Sequence, residues 1–420
     1  MRIAPPRLRR SLLCLALVAS ACSVGDDEAA TTAAEVSSTT SSPASSDAAP
    51  STSDVAPFDY RSVDYDREPV ASALRDGRSN ESFPPPVVDP QDIVSGGPPP
   101  DGIPPIDDPV FAPIAEVDFI AGDDEAVVVV EINGEAKAYP VQILIWHEIV
   151  NDEVGGVPVT VTYCPLCNSA LVFERQLGNR LLDFGTSGSL YQSALVMYDR
   201  QTESLWAHFT GQGLVGHYAG AQLELVPAQT LGYGSFVEAF PDAVVLTPDT
   251  GVARPYGDNP YVGYDDASTN PISGFISQPI SGELAAKDRV VGIIHGDETF
   301  AVRLEELDAA GVVAIDEGDP PIAVLHRAGL NSALESSDIA GGRDVGQTGA
   351  FVAVASDGTP LTFVAVDGGF VDAETGTTWD VLGRAVAGPL EGERLEAVPH
   401  IDTFWFAWST YQPDHTLVSP

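Results

Sequence analysis

The alternation of apolar and polar positions carries most of the structural information in this chain, and it begins near Ala126. Ala126 to Ile132 is a β-branched run followed by Asn133-Gly134, a pair suited to a two-residue hairpin turn, and the chain resumes at Ala136 to Val141. Gln142 to Val150 places apolar residues at helical spacing and predicts a short helix. Val157 to Tyr163 alternates as a strand, and Ala170 to Phe173 continues as another, so Cys164-Pro-Leu-Cys167 falls in a tight turn between them. Gly185-Thr-Ser-Gly188 reads as a tight turn. Asp199-Arg200 with Glu203 and Trp206 reads as a hairpin with an ion pair and a core tryptophan. Phe404, Trp405, Phe406, Trp408 and Tyr411 recur at helical spacing and read as core.

Upstream the chain is built differently. Phe83 to Pro113 is so rich in proline that helix and sheet interior are forbidden, which predicts an extended strap across a surface. Phe58 to Asn80 is mixed. Ser23 to about Pro57 is almost entirely Ser, Thr, Ala, Asp, Glu and Pro, a composition that buries nothing and predicts a flexible tether.

The patterned part also repeats itself. Gly216, Gly220, Leu223-Glu224 and Val226-Pro227 return as Gly388, Gly392, Leu395-Glu396 and Val398-Pro399, and Pro227 and Pro241 recur at one interval of 172 residues as Pro399 and Pro413. Trp379 follows Trp206 at 173, while Asn133-Gly134 faces His295-Gly296, and Cys164 faces His326, at 162. Asn168-Ser-Ala-Leu171 is matched to Asn331-Ser-Ala-Leu334. The second copy lacks counterparts of Trp146-His147-Glu148 and of the two cysteines. The expected architecture is α+β and predominantly antiparallel β, with two tandem repeated β-rich units and short helices. Its expected divisions are a lipoprotein signal peptide at 1–21, the tether at 22–57, a poorly ordered lead-in at 58–89, a first unit at 90–250 and a degenerate second unit at 251–420.

Charge and composition then narrow the function classes. The 420 residues carry 61 acidic against 20 basic side chains, a formal net charge of −41, and 44% are hydrophobic. Such a chain can bury a core, but it has no electrostatic hold on phosphate backbones, so nucleic acid is not an expected partner. A carboxylate-rich surface suits high ionic strength, and drift in an acidic, arginine-favouring proteome accounts for it equally well. At the start, Arg2, Arg7, Arg9 and Arg10 precede the apolar run Leu12 to Val18 and then Ala19-Ser-Ala-Cys22. This is the layout of an export signal, too short for a spanning helix. The cysteine directly after small residues resembles a bacterial lipobox, which implies cleavage before Cys22 and a lipid on its sulfur. The expected location is therefore the cell envelope, with the protein lipid-anchored to the outer face of the membrane.

Loss of Cys14 with the signal and lipidation of Cys22 leave Cys164 and Cys167 as the remaining thiols. An oxidising compartment permits a disulfide between them. Two sulfurs with the imidazole of His147, His208 or His217, and the thioether of Met197, would also suit Cu(I) or zinc. As an exposed thiolate, Cys164 would exchange with a partner's disulfide. Three readings stand open. The first is a metal or small-ligand site built from Cys164, Cys167 and His147. The second is a thiol–disulfide oxidoreductase with His147 as proton acceptor, and the third is a structural or interaction domain in which the pair clips a turn. Whether the chain is an enzyme is open, as is the identity of any protein partner.

Several stretches together resemble a known family. They are Ser95 to Pro109, Ala138-Tyr-Pro140, Trp146-His-Glu-Ile-Val-Asn-Asp152, Val161-Thr-Tyr-Cys-Pro-Leu-Cys167 and Leu195 to Trp206. They are similar to domain-of-unknown-function family 3179, found in secreted or lipid-anchored microbial proteins. The resemblance implies that His147, Glu148, Asn151, Asp152, Cys164, Cys167, Asp199, Arg200 and Trp206 are the family's recurring positions. It implies kinship and no particular reaction. Asn168 departs from the pattern, since a glycine is usual after the second cysteine.

Overall fold

Valine drives the first sheet. Val127 to Val130 are at most 4% exposed, and their branched side chains favour an extended backbone. Asn133 and Gly134 both take positive φ, 51° and 82°, and turn the strand Ala126–Ile132 into Glu135–Pro140. Pro140 then leads into helix α1, Val141–His147, of which six residues are buried. The helix expected to reach Val150 stops here, because Glu148 adopts a left-handed φ of 59° and Ile149 already begins the strand Ile149–Val154. Gly155 and Gly156 turn that strand into Val157–Cys164. A Cβ on Gly155 would sit 2.2 Å from the Ile132 carbonyl oxygen, so no other residue fits. The Cys164–Cys167 turn then leads into Ser169–Glu174, and the three strands form an antiparallel meander.

The computed structural model describes residues 68–316 and 320–420. The signal, Cys22, the tether and residues 58–67 lie outside the described residues. None of the described helices is long and apolar enough to cross a membrane. The fold is α+β and mostly antiparallel, and the described residues belong to one compact unit with no division near residue 250.

After the first meander come four strands, Phe184–Tyr191, Ala194–Asp199, Leu205–Ala207 and Gly213–Val215, which form a second one. Leu225–Val226 returns to the edge of Ser169–Glu174. Gln229–Gly232 pairs with Ala126–Ile132, helix α2 (Tyr233–Ala239) follows, and Val244–Leu246 lies parallel to Glu135–Pro140. A similar order of elements follows from Arg289–His295 onward, without counterparts of the short hairpin Gln176–Leu177 and Arg180–Leu181 or of the strand Leu225–Val226. It runs through Glu298–Arg303, helix α3 (Leu304–Ala310), three strands, four short strands, His400–Phe404, helix α4 (Trp405–Tyr411) and a parallel Thr416–Val418. The register corrects the sequence matching. Ile149 pairs with Thr162 as Val312 pairs with Leu325, so His326 occupies the place of Tyr163, and Arg327 that of Cys164. Asn331-Ser-Ala-Leu334 is not the counterpart of Asn168 to Leu171, because Gln347, not Ser332, takes the place of Ser169.

Both halves contain one buried carboxylate cradle. Asp199 accepts from the Thr202 amide (2.6 Å), the Thr202 hydroxyl (2.9 Å), the Ser204 amide (3.2 Å) and the Trp206 indole (2.9 Å). Asp372 accepts from Thr375, Thr377 and Trp379 at 2.6, 2.9, 3.1 and 2.9 Å in the same order. Both tryptophans are fully buried. These carboxylates hold a tight turn against an indole, and burial raises Asp199 to about 6 in spite of its donors.

The proline-rich stretch is a strap, as its composition predicts. Val94–Ser95 adds to the strand Phe184–Tyr191, and Ile106 exchanges backbone hydrogen bonds with Ile149 and Asn151. The segment Gly185 to Gly188, expected as a tight turn, is instead an irregularity within that strand, whose register shifts between Thr186 and Ser189. Residues 68–89 contain no helix or strand, yet they are docked rather than loose. Ala73 is 2% exposed, and Arg78 donates to the Ser189 hydroxyl at 2.9 Å. Arg200 binds Asp107 and Asp101 of the strap rather than Glu203, which pairs with Arg75.

Asp199→Ala and Asp372→Ala each strand an indole N–H and two amides in the interior. Each is expected to lower the unfolding free energy by about 2–4 kcal/mol, measured by urea titration. A loss under about 1 kcal/mol at either site would contradict the role given to the cradles.

Candidate functional site

The two cysteines sit at opposite ends of the turn that joins Val157–Cys164 to Ser169–Glu174. Cys164 pairs in register with Ser169, so both side chains leave the hairpin on one face. Cys164 is 1% exposed, Cys167 is 0% exposed, and both are free thiols. The turn is pinned from the other half of the chain, since the Thr403 hydroxyl (2.7 Å) and the Phe404 amide (3.2 Å) both donate to the Cys167 carbonyl oxygen.

A hydrogen-bond chain leads inward from Cys167. Its sulfur lies 3.0 Å from the Ser169 hydroxyl, which is 2.9 Å from Nε2 of His208, while Nδ1 of His208 is 2.8 Å from the Thr162 hydroxyl. Thr162 donates its one proton to the Leu171 carbonyl oxygen at 2.8 Å. The directions follow by elimination for a neutral imidazole. Nδ1–H donates to Thr162, and Nε2 accepts from Ser169. Burial lowers His208 to about 3, which keeps it neutral.

The thiols are unequal. Burial opposes ionisation of Cys164, but donors from the Cys167 thiol and from the amides of Cys167, Leu195 and Leu166 outweigh it, and its pKa falls below the ordinary thiol value. The Leu195 amide lies 3.4 Å from the sulfur. Burial pushes Cys167 well up, and its hydrogen bond and charge repulsion with Cys164 push it further. Cys164 is thus the more acidic of the two thiols.

Glu148 is the third member. Its side chain is buried beside Cys164, and burial followed by the Cys164 charge raises its pKa well above that of an ordinary carboxyl. Its backbone is strained. The amide of Tyr163 donates to the Glu148 carbonyl at 2.9 Å just as the amide of His326 donates to Gly311 at 2.9 Å, so glutamate stands at a left-handed helix end where the other half uses glycine. Seven non-glycine residues among those described have positive φ, and Glu148, Asn168, Gln192 and Ser193 all border this site. Local strain of this kind persists only where neighbouring structure enforces it.

A long irregular segment, Thr247–Asp288, covers the group. It contains no helix or strand and supplies Tyr261, which is coupled electrostatically to Glu148 and Cys164, and Tyr264, which is coupled to both cysteines. The segment is latched to the strained turn. Ser193 donates its amide to the Phe275 carbonyl at 2.8 Å, Gln192 donates to the Ser277 hydroxyl at 2.7 Å, and the Gln192 side-chain oxygen accepts from the amides of Ser277 and Gln278.

The other candidates lie elsewhere in the hydrogen-bonded framework. His147 is fully buried, with Nδ1 2.6 Å from the Pro104 carbonyl oxygen and Nε2 2.6 Å from the Tyr256 hydroxyl. The ring therefore ties α1 to the strap, and its expected part in a group with Cys164 and Cys167 is corrected, because both nitrogens are committed. Among the described residues no three His, Cys, Asp or Glu side chains group to hold a metal ion. Asn151 binds Asp107 and the backbone of Phe184, while Asp152 binds Lys137 at 3.1 Å and Tyr139 at 2.6 Å. Met197 and Trp206 are core and face each other across two strands. His208 does reach the thiols, through Ser169. Sequence reading passed over Ser169, Thr162, Gln192, Ser193, Tyr261 and Tyr264. The one available signal was Thr160, Thr162 and Cys164 sharing a strand face, which the structure buries completely.

Glu148→Gln tests the acid. A carboxyl with a raised folded pKa contributes stability that is full below the unfolded value and is lost as pH rises through the folded one. The wild type should therefore lose stability above pH ~4.5 relative to the glutamine variant, whose Tm should be higher at pH 7–8 and equal near pH 4. Parallel pH profiles in thermal denaturation would rule out a buried, protonated Glu148.

Comparison with known proteins bears on kinship alone. No curated protein and no solved structure matches the chain. The model of one family, described as a protein of unknown function (DUF3179), matches residues 100–415. That span takes in the later part of the strap, α1, the cysteine turn, both cradles and nearly all of the second half of the fold, and the chain belongs to the DUF3179 family.

Proposed function

We propose that this chain is a thiol–disulfide exchange protein whose reactive dithiol is Cys164 and Cys167, held outside the cell by a lipid on Cys22. The observation that carries the exchange reading is the pairing of unequal thiols with a buried acid of raised pKa kept in a strained backbone position. The lipid anchor rests on the signal and lipobox pattern of the sequence. In this reading the halves are tandem copies, and only the first is equipped for chemistry, a view supported by the similar element order and the paired carboxylate cradles.

Exchange begins when the Cys164 thiolate attacks one sulfur of a partner's disulfide. A bond forms between Cys164 and that sulfur, the partner's S–S bond breaks, and the released thiolate takes the proton of Glu148. The Glu148 carboxylate then accepts the proton of Cys167. The Cys167 thiolate attacks Cys164, forming the internal disulfide and breaking the mixed one. The second partner thiolate leaves and is protonated by water. Two electrons pass from the dithiol to the partner's disulfide. Before attack, burial and the neighbouring Cys164 hold Cys167 protonated. Because Cys164 is buried, entry requires the Thr247–Asp288 segment to lift from the Gln192–Ser193 latch.

The test uses an aromatic disulfide, 5,5′-dithiobis(2-nitrobenzoate). The folded wild type should release two equivalents of coloured thiol, and Cys167→Ser one, ending as a mixed disulfide on Cys164. Cys164→Ser should react at least about tenfold more slowly than Cys167→Ser, and Glu148→Gln should slow the second release about tenfold or more. Gln192→Ala should speed the first release about tenfold at nearly unchanged Tm. Reaction of the wild type only at its global unfolding rate, or equal rates for the two cysteine variants, would refute the reading.

A further inference from the structure

A second site lies at the seam between the halves, away from the residues assigned to the dithiol. It is a groove of about 560 Å³, within the size range of ligand-binding clefts. One wall is Ile132, Val157, Leu225, Val226 and Phe240, and the other includes Phe351, Leu382 and Val398. Ile132, Val157, Leu225, Val226, Phe240 and Leu382 are only partly buried against the core.

Two sheet edges open onto this groove. Leu225–Val226 is the terminal strand of its sheet and pairs only with Ser169–Glu174. In the other half Ala397 bridges to Phe351, with Val352 donating to the Glu396 carbonyl and Val398 donating to the Ala350 carbonyl, each at 2.9 Å. This segment, too, has a single strand neighbour among the described residues. Both edges therefore present backbone groups to whatever enters.

The charge on the rim is unbalanced. Arg394 of the groove is already committed to Glu131 at 2.7 Å, across the seam. Glu174 and Glu224 remain, close enough to each other that Glu224 adds to the effect of burial on Glu174, and neither forms a salt bridge among the described residues. Two neighbouring carboxylates beside an apolar trough attract a cation carried on an apolar body.

We propose that the groove binds an extended peptide segment bearing lysine or arginine, which adds as a strand to one of the two edges and places its cation between Glu174 and Glu224. Strand addition uses the free backbone groups for affinity. Alternate side chains fill the apolar trough, and the carboxylate pair selects the charge. The site is independent of the thiol chemistry, so either can fail alone.

The experiment titrates the full chain into a fluorescein-labelled, end-blocked peptide Val-Lys-Val-Lys-Val and follows anisotropy. Saturable binding is expected, weakened at least about tenfold by the double variant Glu174→Gln/Glu224→Gln, whose changes lie on the rim and leave the core intact. Hydrogen exchange should show bound peptide protecting 224–229 or 394–398. No saturation at millimolar protein, equal affinity for Val-Glu-Val-Glu-Val, or protection confined to other segments would overturn the proposal.

Discussion

The seam between the halves is the constraint on which the dithiol depends. A cysteine turn at the end of a hairpin would ordinarily face water, and its polar strand face with it. Here the strand His400–Phe404 sets the Thr403 hydroxyl and Phe404 amide on the Cys167 carbonyl, and α4 then lays Trp405 and Trp408 into the same core as Cys164 and Cys167. Burying an aromatic of that size contributes several kcal/mol through removed apolar surface. That gain offsets the cost of enclosing Thr160, Thr162, Ser169 and His208, all of which are 0% exposed. The chemistry of the first half is thus enclosed by the packing of the second.

Strain is distributed with the same economy. Left-handed φ costs a branched or long residue roughly 1 kcal/mol relative to glycine, and the fold could avoid it at the end of α1 as it does at Gly311 after α3. Glu148 stays in that conformation because its own carbonyl is bound by Tyr163 and its side chain is enclosed beside Cys164. Gln192 and Ser193 are held likewise by Phe275 and Ser277, so the covering segment and the strained turn stabilise each other only while closed.

What could be read from the sequence follows the same division between local and long-range causes. The hairpin at Asn133-Gly134, the strands flanking the cysteines, the strap and the aromatic helix α4 were legible because turn chemistry, proline and periodicity act over a few residues. The end of α1 was missed because Ile149 and Val150 continue a helical spacing, and only the φ of Glu148 breaks it. The glycines and prolines shared by the two halves were legible, but the strand register puts Arg327, not His326, in the place that corresponds to Cys164. Alternation along Val157–Cys164 could not announce that both faces are buried, since the cover comes from residues far along the chain. His147 misled for a related reason. A histidine beside an acid resembles a catalytic pair, but its partners, Pro104 and Tyr256, are carried by a strap and a loop that no local pattern links to it.

Net charge adds a last physical point about Cys164. In a chain of formal charge −41 the average field opposes any new anion, and the usual remedy is a lysine, an arginine or a protonated histidine close to the sulfur. The donors to Cys164 are three backbone amides and the neighbouring thiol, and the one imidazole in reach is kept neutral by burial. Short hydrogen bonds of this kind act at contact and inside the protein, where salt does not penetrate, whereas an exposed ion pair weakens as ionic strength rises. An acidic surface suited to salt and a thiolate held by amides are therefore compatible solutions to one electrostatic problem. The surface carries carboxylates where screening is available, and the buried Cys164 is made more acidic by fixed dipoles where screening is not.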